Sequence, residues 1–436
     1  MPQENKVINS LLFLFYLGFL VCTVCAFRYE SSLAIGAILL TGFIKNKIDT
    51  GSFFSYRIRN FYVAACALFF LLQITALIYT SDVHAEWKHI QVKSALLFIP
   101  LCFYCCTYLN HYRFSKLMTA YIAILAIVIA WCLVTSFIRY RFYHEPITVF
   151  FYHALVSSLG HHAVQFSILV FAGLVYLLQS ADDGIYIVNR TIHFIITAYF
   201  IGGIILLSSK LVIIFTAGYL FYYLFTTIKK NIGTRITVTI AIVTGLSFAG
   251  IIFFTDNPVS RRFSDIMHGN ISIVEQESFS PANYFNGVQF RLLQWRFVKE
   301  ILQENKAWLF GVSPGNAQTL LNQKYIATHM YTGAPGRQGL GYLGYNTHNE
   351  FLESLLQTGI IGLLCFIFIC VEMIKMAIRQ KHRLLWAIVI LLLAYTFNEA
   401  VLETQYGLII FIFLPLFFTE VGKSVGLEVR KKVSTL

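Results

Sequence analysis

Apolar runs recur along this chain, most of them close to twenty residues long, and they constrain its fold more than any motif does. They fall near 7–27, 31–44, 60–80, 92–109, 116–138, 163–179, 190–208, 210–228, 236–254, 350–374, 383–400 and 405–421. A helix needs about 20 apolar residues to cross a bilayer. In lipid the backbone must also satisfy its own hydrogen bonds, which a helix does unaided. The chain therefore reads as an all-α polytopic membrane protein with about twelve transmembrane helices. Composition agrees: 57% of residues are hydrophobic and only 12% charged, against about 25% charged in soluble domains. The 31–44 run is the shortest. The 190–228 stretch divides in two, because Gly202-Gly203 and Ser208-Ser209-Lys210 interrupt it. The first run is too long for a signal-peptide core and lacks a small-residue cleavage site, so it is expected to remain as the first span.

The net charge of +12 could suggest nucleic acid, but its distribution fits membrane topology instead. With the N-terminus in the cytoplasm, 19 of the 33 Lys and Arg residues fall in inside segments. Six (Arg28, Lys88, Lys93, Arg139, Arg141 and Lys210) fall in short outside segments, and the remaining eight lie in one long loop. That asymmetry obeys the positive-inside rule and puts both termini in the cytoplasm. The nine cysteines all sit in apolar runs, which supports neither a disulfide framework nor a zinc site. Three regions follow: a transmembrane bundle over 1–254 with about nine helices, a large outward loop over 255–347, and C-terminal helices with a cytoplasmic tail over 348–436.

A loop this long is functional or disordered. Tyr284, Phe285, Phe290, Trp295, Phe297, Trp308, Phe310 and Tyr325 supply enough aromatic surface to pack, which argues against disorder. Leu292, Leu293, Phe297, Val298, Ile301 and Leu302 have the spacing of an amphipathic helix over 290–304. The loop ends at Asn346-Thr-His-Asn-Glu-Phe-Leu-Glu353, where an apolar helix begins. Thr347 followed by Glu350 predicts a capping box, with His348 in the first turn. The helix dipole there attracts anions and favours a neutral imidazole, as a general base requires. The alternative is an interfacial histidine that merely starts a span.

Five outward-facing cations accompany His348: Lys210, Arg261, Arg262, Arg291 and Arg296. Arginine forks suit phosphate oxygens, and several around one site suit a pyrophosphate. Singly, each has a plainer reading: Lys210 as a snorkelling lysine, and one of Arg261 and Arg262 as a solvated charge. A second outward segment carries Arg139, Arg141, His144, His153, His161 and His162. It lacks a third metal ligand at useful spacing, so glycan or phosphate contacts, or an interfacial role, are favoured over metal. There is no Walker loop or dinucleotide fingerprint. Group transfer on the outer face would need a substrate that arrives activated, such as a lipid pyrophosphate whose leaving group asks for arginines. A transporter is the rival from another class, but no internal repeat is visible and the cations cluster at the interface rather than at mid-membrane.

Two patterns resemble the O-antigen ligase/polymerase family. The first is Arg291-Leu-Leu-Gln-Trp295 with Trp308-Leu-Phe-Gly311-Val-Ser-Pro-Gly315; the second is His348-Asn-Glu-Phe-Leu-Glu353 with Gly359-Ile-Ile-Gly362. The likeness is close over the last third and topological elsewhere. It implies a GT-C-like fold and an inverting glycosyltransferase of the bacterial inner membrane. Such an enzyme moves a glycan from undecaprenyl pyrophosphate to lipid A–core, another glycan or a protein, using neither nucleotide nor metal and facing the periplasm. It implies His348 as the base, with Arg291 and one of Arg261 or Arg262 on the pyrophosphate. Asn349, Arg139 and His161 are further candidate substrate contacts. Lys210 stands where many members have arginine, which keeps the charge and loses the fork. The Gly-x-Gly turn is also altered, to Gly-Val-Ser-Pro-Gly.

Overall fold

The computed structural model describes residues 6–54, 60–104, 108–232, 239, 271–333 and 341–433. The 236–254 run is therefore almost wholly outside the described residues, and Arg261 and Arg262 are wholly so. Among the described residues the chain is helical throughout, without a strand. Seven helices among the described residues are long and apolar enough to cross a membrane: Lys6–Cys25, Phe61–Ile78, Tyr112–Phe142, Ala163–Asp182, Arg190–Leu207, Lys210–Thr227 and Glu350–Gln380. Arg383–Thr396 and Gln405–Thr419 are shorter apolar helices. The 31–44 run lies within a longer helix, Arg28–Thr50. Within the 92–109 run lies helix Ala95–Tyr104, which contains Pro100; residues 105–107 are outside the described residues. Ala163–Asp182 is the centre of the bundle, buried along nearly its whole length and packed by the helices at 112–142, 190–207, 210–232 and 383–396.

The loop forms a second body with its own core. Its main helix, Gly287–Glu304, starts in a capping box made by Asn286 and Gln289. One stripe of that helix, Phe290, Leu293, Phe297, Val298, Ile301 and Leu302, is buried against Leu321 and Tyr325 of the next helix, Pro314–Ala327, and against Leu356. Of the loop aromatics, Phe285, Phe290, Phe297 and Tyr325 form this core. Tyr284, Trp295, Trp308 and Phe310 stay exposed.

This body is joined to the bundle by backbone. Helix Glu350–Gln380 opens at Gly359, whose φ of 68° and ψ of −164° are not helical and belong to a region open essentially to glycine alone. The opening frees carbonyls that the loop then uses: Val312 N donates to Leu356 O at 2.9 Å, and Ser313 N to Gln357 O at 3.0 Å. Ile360 N returns a bond to Trp308 O at 2.9 Å. The approach is so close that a Cβ on Gly359 would lie 2.3 Å from the Leu309 carbonyl, and one on Gly311 2.4 Å from Gln357 C. Gly359→Ala is accordingly expected to lower the thermal stability of purified protein by at least about 2 kcal/mol. Gly36→Ala, in a helix with open space around it, should leave the melting temperature unchanged. Equal melting of the two variants would contradict this account of the junction.

Candidate active site

Thr347 and His348 do not enter the helix as the motif predicts. His348 takes a left-handed φ of 46°, and the cap is Asn349, whose Oδ1 accepts from Leu352 N at 3.1 Å. The left-handed residue turns Thr347 back over the first turn. There its N and Oγ1 both donate to Glu353, at 3.1 and 2.7 Å. Glu350, the expected capping-box partner, is buried and accepts from Leu402 N at 2.8 Å. The Thr347–Glu350 box is therefore replaced by an Asn349 cap, and His348 sits just before the helix rather than in its first turn. The loop core fixes the approach: Gln294 Nε2 donates to Asn346 O, and Tyr325 Oη donates to Tyr345 O at 2.9 Å. The rings of Tyr345 and Phe290 flank the imidazole, with centroids at 5.6 and 6.3 Å.

What faces His348 is a carboxylate. Its Nδ1 lies 2.9 Å from Glu399 Oε2. With Nδ1–H donating to that oxygen, which is the tautomer the carboxylate selects, Nε2 is left as the acceptor nitrogen. Burial pushes the Glu399 carboxyl upward. The hydrogen bond from His348 and the fields of His348, His162 and Arg291 outweigh it and hold the group below the usual carboxylate range. The segment Phe397–Glu399, just past helix Arg383–Thr396, is the hub of the site. Asn349 Nδ2 donates to Phe397 O at 3.3 Å, and Arg291 Nη2 donates to Asn398 O at 3.0 Å. Arg291 also lies 3.9 Å from Glu399 Oε1.

Lys210, Arg291, Asn398 and Glu399 line one cleft of about 580 Å³, together with Tyr152 and Tyr284. Arg291 Nε is buried there without a hydrogen-bond partner, the kind of donor that an anion satisfies. Lys210 opens helix Lys210–Ile232. The remaining candidates lie elsewhere. Arg139 forks onto Glu145 at 3.0 and 2.5 Å and bonds Ala154 O and Ser157 Oγ. Arg296 pairs with Glu300 at 2.9 Å and holds Val274 O and Gln276 O. His161 is buried among Thr23, Phe166 and Tyr406, and burial pushes its pKa down to about 4. Among the described residues, no group of three His, Cys, Asp or Glu side chains is placed to hold a metal.

A buried ionic network runs on from Thr347. Glu353 accepts from Gln357 Nε2 at 2.7 Å, and Gln357 Oε1 accepts from Lys93 Nζ at 2.5 Å. Lys93 also binds Gln73 Oε1 and pairs with Glu403 Oε1, both at 3.0 Å; His89 Nδ1 lies 3.2 Å from Glu403 Oε2. Helix Val83–Lys93 brings His89 and Lys93 to this network and Glu86 to Gly315 N, 2.8 Å away. Sequence reasoning missed both acidic residues, Glu399 and Glu403. The first ended a run taken as a span, and the second lay between two runs. The signal available was spacing: Glu86, His89 and Lys93 recur on one helical face.

A polytopic helical membrane protein with a carboxylate-backed histidine beside a cation-lined cleft is the class that fold and site define. Residues 195–367 match the family model of the O-antigen ligase. No curated protein matches the chain. The matched stretch contains Lys210, Arg291, His348 and Asn349 and ends before Glu399. That match supports an O-antigen ligase- or polymerase-type function.

Proposed function

We propose that this protein transfers a glycan from undecaprenyl pyrophosphate to lipid A–core on the periplasmic face of the bacterial inner membrane, as an O-antigen ligase. The observation that carries this reading is the pairing of His348 with Glu399 beside the cleft that Arg291 and Lys210 line. Glu399 holds the imidazole so that Nε2 accepts the proton of an acceptor hydroxyl. The deprotonated oxygen attacks the anomeric carbon from the face opposite the leaving group. The carbon–oxygen bond to the pyrophosphate breaks, the configuration inverts, and the electron pair leaves on the pyrophosphate. Arg291 and Lys210, with one of Arg261 and Arg262, stabilise that departing charge.

The test is reconstitution. Purified protein in lipid vesicles, given undecaprenyl-pyrophosphate-linked glycan and lipid A–core, should yield capped lipid A–core with inverted anomeric configuration. In cells, loss of the gene should leave free lipid A–core and long lipid-linked chains. Caps of a single repeat would point to a repeat-unit polymerase, and unglycosylated periplasmic proteins to a protein O-oligosaccharyltransferase. Either outcome would displace the ligase assignment.

A further inference from the structure

A second concavity, of about 470 Å³, lies away from the cleft, where the turn after helix Phe61–Thr75 meets the loop body. Its lining includes Tyr79, Asp82, Asn305, Asn316, Thr319 and Gln323, and no lysine or arginine. The walls come from segments more than 200 residues apart and are cross-bonded. Tyr79 Oη donates to Phe310 O at 2.8 Å, and Ser313 Oγ donates to Thr80 Oγ1 at 3.0 Å. Asn316 Oδ1 accepts from both Ser81 N, at 3.2 Å, and Ser81 Oγ, at 2.6 Å. The hollow is thus built before any ligand arrives.

We infer that this hollow is a saccharide-binding subsite. Its chemistry selects among ligands. An anion would want the cations that line the other cleft, and a lipid tail would want apolar walls. A sugar hydroxyl both donates and accepts, which matches fixed amides and hydroxyls, and the exposed Tyr79 ring offers an apolar face to the C–H side of a pyranose. Among the described residues, the Gln323 amide, the Thr319 hydroxyl and Asn316 Nδ2 have no hydrogen-bond partner, so these groups are available to a ligand. Asn305 ends the helix that carries Arg291, and 14 residues separate them, about 20 Å along the helix axis at 1.5 Å per residue. A glycan engaged at both places must be several sugars long. The subsite therefore binds a remote part of an oligosaccharide rather than the reacting unit. That placement on the substrate rests on the proposed transfer, while the binding itself does not.

The experiment uses full-length protein in nanodiscs and the double substitution Thr319→Val with Gln323→Ala, checked for unchanged melting. The probes are the polysaccharide released from the lipid-linked donor, the core oligosaccharide released from lipid A, and a serine-rich peptide. The substitutions should weaken one of the two saccharides by about tenfold, the scale of one or two lost hydrogen bonds. Which saccharide responds tells whether donor or acceptor is held. In transfer assays KM for long chains should rise with kcat unchanged, and short chains should be unaffected. Saccharide binding indifferent to the substitutions would overturn the inference, as would a response confined to the peptide. His348→Ala should bind saccharide as the unsubstituted protein does. If the substitutions weaken saccharide binding in a protein that transfers no glycan, the subsite stands and the ligase reading fails.

Discussion

His348→Ala should insert and melt like the parent protein and lose glycan transfer, because the substitution removes Nε2, the proposed proton acceptor. Glu399→Gln separates the base from its positioning. A glutamine amide in that place can donate to Nδ1, which turns the ring to the tautomer whose Nε2 carries the proton. In a serine protease triad the equivalent carboxylate-to-amide change costs about 10⁴ in kcat, so a loss of roughly 10²–10⁴ is expected here. Binding of undecaprenyl pyrophosphate should change little in His348→Ala, since Arg291 keeps its bonds to Gly287 O and Asn398 O. In vitro transfer rates and lipid-linked donor binding, measured on the same preparations, check both. Capped lipopolysaccharide in cells carrying His348→Ala would refute the base assignment.

The second large effect concerns stability. The side chain of Lys93 is 1% exposed and that of Glu403 10%, with 3.0 Å between the charges. Removing one partner of such a pair strands the other, at a cost of about 3–5 kcal/mol. Lys93→Met should therefore unfold the protein well below the parent melting temperature. Lys93→Met with Glu403→Leu should recover most of the loss, because an apolar pair of similar volume needs no desolvated charge. Burial raises the Glu403 carboxyl, but Lys93 and His89 outweigh it and hold the group well below the carboxylate range. A depressed folded value means that the stabilisation is complete above the unfolded pKa, about 4.3. It is lost as pH falls toward the folded value. Melting curves from about pH 6 down to about pH 3 should fall at the acid end in the parent and be flatter in the double variant. A single variant as stable as the double would show that the pair is not buried as described.

The parts legible in the sequence were those encoded by neighbours in the chain. The stripe from Phe290 to Leu302 has a 3.6-residue period, so the loop's main helix and its buried face could be read directly. The glycines at 311 and 359 could be flagged as motif positions. Their meeting backbone to backbone could not be read, because 47 residues lie between them and the helix kink that allows it falls at the second. The capping box failed for a related reason. Thr347 and Glu350 have the right spacing, but Asn349 is an equally good cap, and the left-handed turn at His348 decided between them.

Hydropathy alone determined that this chain is a bundle of membrane helices, since burying a polar backbone in lipid leaves few other forms. The motif singled out His348 and Arg291, because a histidine at a helix start and an arginine heading an amphipathic helix are local features. Only the tertiary structure supplied Glu399 as the group that faces His348, and only it placed Lys93 against Glu403. Windowed hydropathy averages a lone carboxylate into the apolar run beside it, and pairing across 51 residues, or across 310, is set by how helices pack rather than by any local spacing.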